Sequence, residues 1–341
     1  MTTYDLYAIG NALVDSEFEV SEAQLLMMKV EKRHMTLIDA GRRAELLAQV
    51  QGVHSRKSGG GSAGNTVVAL AQLGGRAFYS CCVSNDDLGS FYADDLRANG
   101  VDSNLTAASL SQANVAKSVN PTGECMVMVT PDAERSMSTY LGATADLDAS
   151  ALDVKAIAAA KIYYMEGYLA AQANGLAAAL QGRQIAKAAG VKLATTLSDM
   201  SMIHFCRPGL EAMIGDGLDY LFANEEEAQT WCGTADMQAI MAQLGQRSRV
   251  VCLTRSAKGC IIMEGGAQTP VPAANVKAVD TNGAGDMFAG SFLYAVTQGH
   301  SHAQAAWLAN QAAGQVVSQY GNRLTLAAIT QVKSAYSAQF A

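Results

Sequence analysis

The residues with the most chemistry in their spacing lie near the C-terminal end, where Gly283, Ala284, Gly285 and Asp286 sit within the run 279–290. A glycine turn that feeds a helix leaves backbone N–H groups unpaired at the positive end of the helix dipole, which makes an anion site. Asp286 falls in the first turn, where a carboxylate is held ionised. Beside an anion cradle, that carboxylate suits one task. It takes a proton from an alcohol while the N–H groups hold a phosphoryl group in transfer. Gly-Ala-Gly-Asp is also an ordinary helix start with an acidic first turn. Thr281 and Asn282 are cap-type residues. From Met287 the chain is apolar and reads as a buried helix to about residue 297, with Gly299 as its stop.

Two other stretches carry similar features. Residues 6–10 form a short apolar run that reads as a buried strand, followed by Asn11-Ala12-Leu13-Val14-Asp15. Asp15 at a strand end offers two acceptor oxygens to a pair of sugar hydroxyls; it is equally a loop Asp on a turn. The second stretch is Ser58-Gly59-Gly60-Gly61-Ser62-Ala63-Gly64-Asn65, again a glycine turn opening a helix. Gly59, Gly61 and Gly64 satisfy G-x-G-x-x-G, so a dinucleotide site stays open. That fingerprint requires a strand directly before it, whereas 51–57 is polar and basic.

The run Asp-Thr-Asn-Gly-Ala-Gly-Asp-x-Phe at 280–288 resembles the C-terminal signature of the PfkB (ribokinase-like) carbohydrate and nucleoside kinases, closest to adenosine kinase-type members. The resemblance extends from Gly10 to Asn310. It implies that Gly283, Ala284 and Gly285 form the anion hole and that Asp286 is the catalytic base. Gly10-Asn11-Ala12-Leu13-Val14-Asp15 resembles the first substrate motif, with Ala12 where the family often has Pro. Asn11 and Asp15 are then substrate-binding, Asp15 at the ribose hydroxyls. Gly60, Gly61, Ser62 and Asn65 match the second signature, G-G-x-x-x-N, and are assigned to the sugar. Arg135 resembles a phosphate-facing arginine and is also read as a surface Arg.

The resemblance implies ATP contacts at Asn224, Thr254, Ser256, Gly259, Asn282, Gly283, Gly285 and Asn310. Ser256 stands where the family's T-x-G-x-x-G loop has its middle glycine. Asn310 faces either adenine or solvent. Asn224 and Glu227 match N-x-x-E, which orders Mg²⁺ through water; acidic residues opening a helix also have a purely dipolar explanation. The implied cofactors are Mg²⁺ with ATP and, as an option, a monovalent cation.

These residues need an α/β frame to bring them together. Strand and helix patterns alternate from residue 150 onward, which means a parallel sheet covered by helices. The expected fold is therefore ribokinase-like, a central mostly parallel sheet with a small β-strand lid, in one kinase domain spanning 1–341. The α/β core is expected at about 1–14, 40–111 and 142–341 and the lid at about 15–39 and 112–141, including a hairpin of strands at 114–119 and 124–130.

Composition bounds the partners. Half of the residues are hydrophobic, so a large core is available, and the net charge of −7 argues against nucleic acid. Seven scattered cysteines without C-x-x-C spacing suggest free thiols in a reducing cytoplasm. No stretch is long and apolar enough to span a membrane. The expected activity is transfer of the ATP γ-phosphoryl group to a hydroxymethyl oxygen, with adenosine the favoured acceptor and a free sugar the alternative. An NAD-dependent oxidoreductase and a non-catalytic metabolite sensor are the readings from other classes. Oligomeric state is open between monomer and homodimer.

Overall fold

The computed structural model describes residues 3–105, 119–132 and 134–340. In chain order its strands are β1 (Tyr4–Ile9), β2 (Leu13–Glu19), β3 (Met35–Leu37), β4 (Ser55–Gly60), β5 (Ala77–Ser80), β6 (Val101–Ser103) and β7 (Gly123–Val129). Then follow β8 (Arg135–Tyr140), β9 (Ala160–Met165), β10 (Lys192–Thr196), β11 (Leu218–Asn224), β12 (Ser248–Thr254), β13 (Cys260–Glu264) and β14 (Ala267–Val271). They make a nine-stranded sheet, β14-β13-β12-β11-β10-β9-β1-β5-β6, and a five-stranded sheet, β3-β8-β7-β2-β4.

In the large sheet every pair from β6 to β12 is parallel, and only the β12-β13 and β13-β14 pairs at one edge are antiparallel. Its inner strands are buried on both faces, as a parallel sheet between helices requires. Leu6 and Ala8 of β1 join the core under the helices Ser62–Leu73, Ala284–Thr297 and His302–Val317. Tyr7 and Ile9 join the opposite core, under Ala173–Ala188 and Met200–Ile214. Strand order changes direction between β1 and β9. A ligand crevice is expected outside the carboxyl ends of strands at such a switch point. Residues 10–15 and 166–168 leave the sheet there.

The five-stranded sheet has its own small core of Phe18, Leu25, Met28, Leu46, Met126 and Met128. Side chains alternate along β2, so Asp15 and Glu17 lie on the face opposite Phe18. One element departs from the sequence reading. The polar stretch before the second glycine turn is a strand, β4, paired antiparallel with β2. Its side chains at 55–57 are exposed, so it carries no apolar pattern to betray it. It belongs to the small sheet, inside the range expected for the core. The helix at Ser62–Leu73 is thus preceded by a strand, but one outside the parallel sheet that a dinucleotide site uses. The strand expected at 114–119 lies mostly outside the described residues.

Candidate active site

Asp286 occupies the first turn of the helix Ala284–Thr297, which starts at Gly283 with φ +74° and no side-chain cap. The helix Glu225–Cys232, by contrast, is closed by a reciprocal capping box from Asn224. Thr281 and Asn282, expected as caps, do not fill that role with their side chains. Asp280 instead pins the turn, its Oδ1 accepting from the Asn282 N–H at 3.0 Å and its Oδ2 from the Gly321 N–H at 3.2 Å. The uncapped first turn is left to face an anion. The space over Gly285 is open: a Cβ there would meet no heavy atom within 4 Å.

The Asp286 carboxylate is held at both oxygens. Ser62 Oγ donates to Oδ1 at 2.6 Å and Asn65 Nδ2 donates to Oδ2 at 3.0 Å. Burial pushes its pKa up to about 6, against the pull of those two bonds and of Arg323. A cavity of about 90 Å³ adjoins it, lined by Ser62, Ser198, Asn224, Glu227, Thr254, Gly285 and Asp286 among others. The second glycine turn therefore reaches the Asp286 carboxylate, although 224 residues separate Ser62 from Asp286, and the N-x-x-E pair lines the same cavity.

Asp15 lies against Gly60, where a Cβ would come within 2.5 Å of its Oδ1. Burial pushes its pKa up to about 7, opposed by Arg323 and Arg135. Gly61 has φ +83°, and a Cβ on it would come within 2.0 Å of the Asn11 carbonyl oxygen. These glycines are thus required first by close packing within the protein.

Three sequence-derived assignments change in detail. Asn11 was expected at the substrate, but its side chain is buried and committed. Its Nδ2 donates to Glu166 Oε1 at 2.8 Å, and its Oδ1 accepts from Gln172 Nε2 at 2.8 Å and from Thr144 Oγ1 at 3.2 Å. It ties the ends of β1 and β9 together. Asn310 is buried, and its Nδ2 donates to the carbonyls of Val271 and Pro272 at 3.1 and 2.9 Å. The amide donor that would face adenine is therefore spent on holding the helix His302–Val317 to the end of β14. Arg135 ties the small sheet to the glycine turn, pairing with Glu17 of β2 and, at 2.8 Å, with Asp280 before that turn.

The nucleotide-loop residues fall at the turn between β12 and β13. Gly259 has φ +83°, and a Cβ there would come within 2.1 Å of the Val271 carbonyl oxygen, so only glycine fits. Ser256 is exposed at φ +50°, the left-handed conformation that explains why a glycine suits that position.

Sequence reading missed three buried residues at this site. Glu166, at the end of β9, accepts from the N–H of Ala63 at 2.8 Å and from Asn11. Asn322 Nδ2 donates to Asp15 Oδ2 at 2.8 Å. Arg323 Nε donates to Asn65 Oδ1 at 3.2 Å. The one signal was a Glu directly after an apolar strand; nothing local marks Asn322 or Arg323.

The donor set suits a water-mediated divalent ion. Each Glu227 oxygen accepts one bond from Asn224, at 2.7 and 3.0 Å, which leaves lone pairs free at the cavity. Neither Glu227 nor Asp286 forms an ion pair with Lys or Arg among the described residues. Burial pushes Glu227 up to about 7. No group of three or more His, Cys, Asp or Glu is arranged to hold a metal among the described residues. Mg²⁺ often relies on substrate phosphates and its own waters with few protein ligands.

Four carboxyls with raised pKa, Glu166 and Glu227 buried and Asp15 and Asp286 half-buried, make stability depend on pH. Asp15, Glu166 and Glu227 lie at about 7 and Asp286 at about 6, all chiefly through burial. The folded state holds more protons than the unfolded chain between the ordinary carboxylate range and pH 7. The stability linked to these groups is therefore full below that range and is lost as pH rises through the folded values. Thermal melts of the ligand-free protein should give a Tm at least about 3 °C higher at pH 5.5 than at pH 8. A flat or opposite trend would show that these groups are not neutralised by burial.

Similarity to known proteins agrees with this geometry. The pfkB family carbohydrate kinase model matches residues 30–328. The adenosine kinase of Schizophyllum commune is 29% identical over 334 residues, covering 88% of this chain and 90% of that protein. The crystal structure of adenosine kinase from Sinorhizobium meliloti has a TM-score of 0.84 at 34% identity, covering 98% of this chain and all of that one (100%). A probable sugar kinase from Rhizobium etli CFN 42 has a TM-score of 0.85 at 35% identity, covering 98% and 99% of the two chains.

Proposed function

Since the chain belongs to the pfkB family of carbohydrate kinases and is an ATP-dependent kinase, we propose that it phosphorylates the hydroxymethyl group of a nucleoside, adenosine first, with Asp286 as base. The observation that carries the mechanism is the doubly hydrogen-bonded Asp286 at the head of an uncapped helix. The acceptor oxygen attacks the γ-phosphorus and forms the new O–P bond. The bond from that phosphorus to the bridging oxygen of ADP breaks. The hydroxyl proton passes to Asp286.

The backbone of Gly283, Ala284 and Gly285 offsets charge on the phosphoryl oxygens in transit. Asp15 binds two hydroxyls of the sugar ring, with Asn322 fixing its orientation. Gly60, Gly61 and Ser62 form the wall behind the sugar, and Asn65 and Ser62 keep Asp286 turned towards it. Thr254, Ser256, Gly259 and Asn282 border the nucleotide. Asn224 and Glu227 would hold Mg²⁺ through its waters, and the ion bound with ATP supplies charge neutralisation at the phosphates. The small sheet acts as a lid that excludes water, and Arg135 latches it to Asp280. Positioning and electrostatics carry nearly all the catalysis.

Adenosine is favoured by the run from Asn11 to Asp15 and by adenosine kinases among the relatives. A free sugar is the second reading. It is favoured by the sugar kinase relative from Rhizobium etli. ADP release from Mg-ATP against a panel of nucleosides and sugars decides between them. Turnover with adenosine and an acceptor KM raised about 100-fold in Asp15→Ala are expected, through loss of charge-assisted bonds. Turnover with a sugar and none with any nucleoside would replace the substrate assignment.

A further inference from the structure

After the helix His302–Val317 the chain turns inward, and residues 321–323 enter the space between Asp15 and Asp286. Arg323 is largely buried there. Its Nη1 pairs with Asp95 of the helix Asp87–Ala98, and its Nη2 is buried without a protein partner among the described residues. The pair explains Gly59. A Cβ at that position would come within 2.2 Å of Asp95 Oδ2 and 2.8 Å of Arg323 Nη2.

The contact with Asn65 has a directional consequence. An Asn amide has one acceptor end and one donor end. Arg323 Nε can only donate, so it selects the Oδ1 end of Asn65 and leaves Nδ2 facing Asp286 Oδ2. The opposite flip would set Asn65 Nδ2 against a guanidinium and its oxygen against a carboxylate. We propose that Arg323 is a positioning residue for phosphoryl transfer, fixing through Asn65 the orientation of the base Asp286 and supplying the cation shared by Asp286 and the sugar-binding Asp15. The proposal rests on the reading of Asp286 as base.

The groups facing Asp286 set the sign of the effect. Ser62 and Asn65, from the helix Ser62–Leu73, are neutral donors. Glu166 at the end of β9 is acidic and interacts repulsively with Asp286, and Glu227 lines the same cavity. Tyr164 and Tyr168 are held neutral by burial. Arg323 is the cation acting on Asp286, and it also acts on Asp15. Its loss leaves the base harder to ionise.

The test is kcat against pH, with saturating acceptor and Mg-ATP, for the parent, Asp286→Asn, Arg323→Lys and the double variant Arg323→Met/Asp95→Asn. The double variant avoids leaving a buried unpaired Asp95. In the parent, kcat should fall as pH drops through about 6. In the double variant that limb should move up by about one pH unit, lowering kcat about fivefold at the old midpoint, with the KM for ATP unchanged. Arg323→Lys keeps the charge but not the fork, so its limb should stay near the parent's while kcat falls.

A folded double variant with an unmoved limb would overturn the proposal. So would an Arg323→Lys enzyme with parental kcat, and this second variant decides the matter if the first does not fold. If Asp286→Asn matches the parent, the assignment of the base itself fails, which is a different result from an unmoved limb.

Discussion

Replacing Asp286 with Asn should abolish most turnover while leaving the protein at least as stable. General-base assistance contributes about 10²- to 10⁴-fold, and ADP release should fall by that factor with the KM for ATP little changed. The loss has a second source. Ser62 Oγ and Asn65 Nδ2 both donate to the carboxylate. An Asn amide presents its oxygen to only one of them, so with the oxygen on Asn65 its N–H₂ faces Ser62, whose hydroxyl must switch from donor to acceptor. Stability should move the other way. Burial holds the Asp286 pKa up at about 6, so above that pH the folded protein bears the cost of a desolvated charge that Asn does not carry. Melts at pH 8 should therefore show an unchanged or raised Tm. A variant that both melts lower and retains turnover would identify Asp286 as a structural first-turn residue and remove it from the mechanism.

Gly283→Ala should damage folding and both halves of the reaction together. Gly283 has φ +74°, a conformation that costs a residue with a side chain about 1–2 kcal/mol. The added Cβ would come within 2.7 Å of Asn322 Cβ and 2.9 Å of the Asn322 carbonyl oxygen. Relief of that contact costs about 1–3 kcal/mol more, and it must move either the anion turn or Asn322. Moving the turn spoils the N–H groups, at about 10²- to 10³-fold in kcat. Moving Asn322 frees Asp15 and raises the KM for the acceptor. Gly285→Ala is the informative contrast, because its Cβ meets no protein atom within 4 Å. Tm should hold or rise, since Ala is the better helix former by about 1 kcal/mol, while kcat falls because the methyl projects into the space reserved for the phosphoryl group. Equal loss of Tm in both variants would show that the turn is only a helix start.

The alternation of apolar strands and helical segments was sufficient for the parallel sheet, because strands buried on both faces read as continuous apolar runs such as 6–9 and 250–253. The glycine turns were legible for a related reason. Left-handed backbone and close contacts at Gly61, Gly259 and Gly283 exclude other residues, so local sequence records them. Strand β4 was not legible, since an exposed edge strand of Ser, Arg and Lys needs no apolar pattern. Asn11 was read as substrate-binding and Asn310 as facing either adenine or solvent, whereas both have buried amides that tie elements of the fold together.

The sequence by itself determined the chemistry on offer: an anion turn, a first-turn carboxylate, a second glycine turn and an acidic strand-end residue, in an order that resembles one family of kinases. Tertiary structure alone decided which of these meet. Ser62 and Asn65 close on Asp286, Asn322 closes on Asp15, and Arg323 stands between them across more than two hundred residues of chain. Such contacts depend on how two sheets and the C-terminal segment pack. They leave no periodicity or spacing in the chain, because a hydrogen bond between distant residues constrains their positions in space and not their separation in sequence.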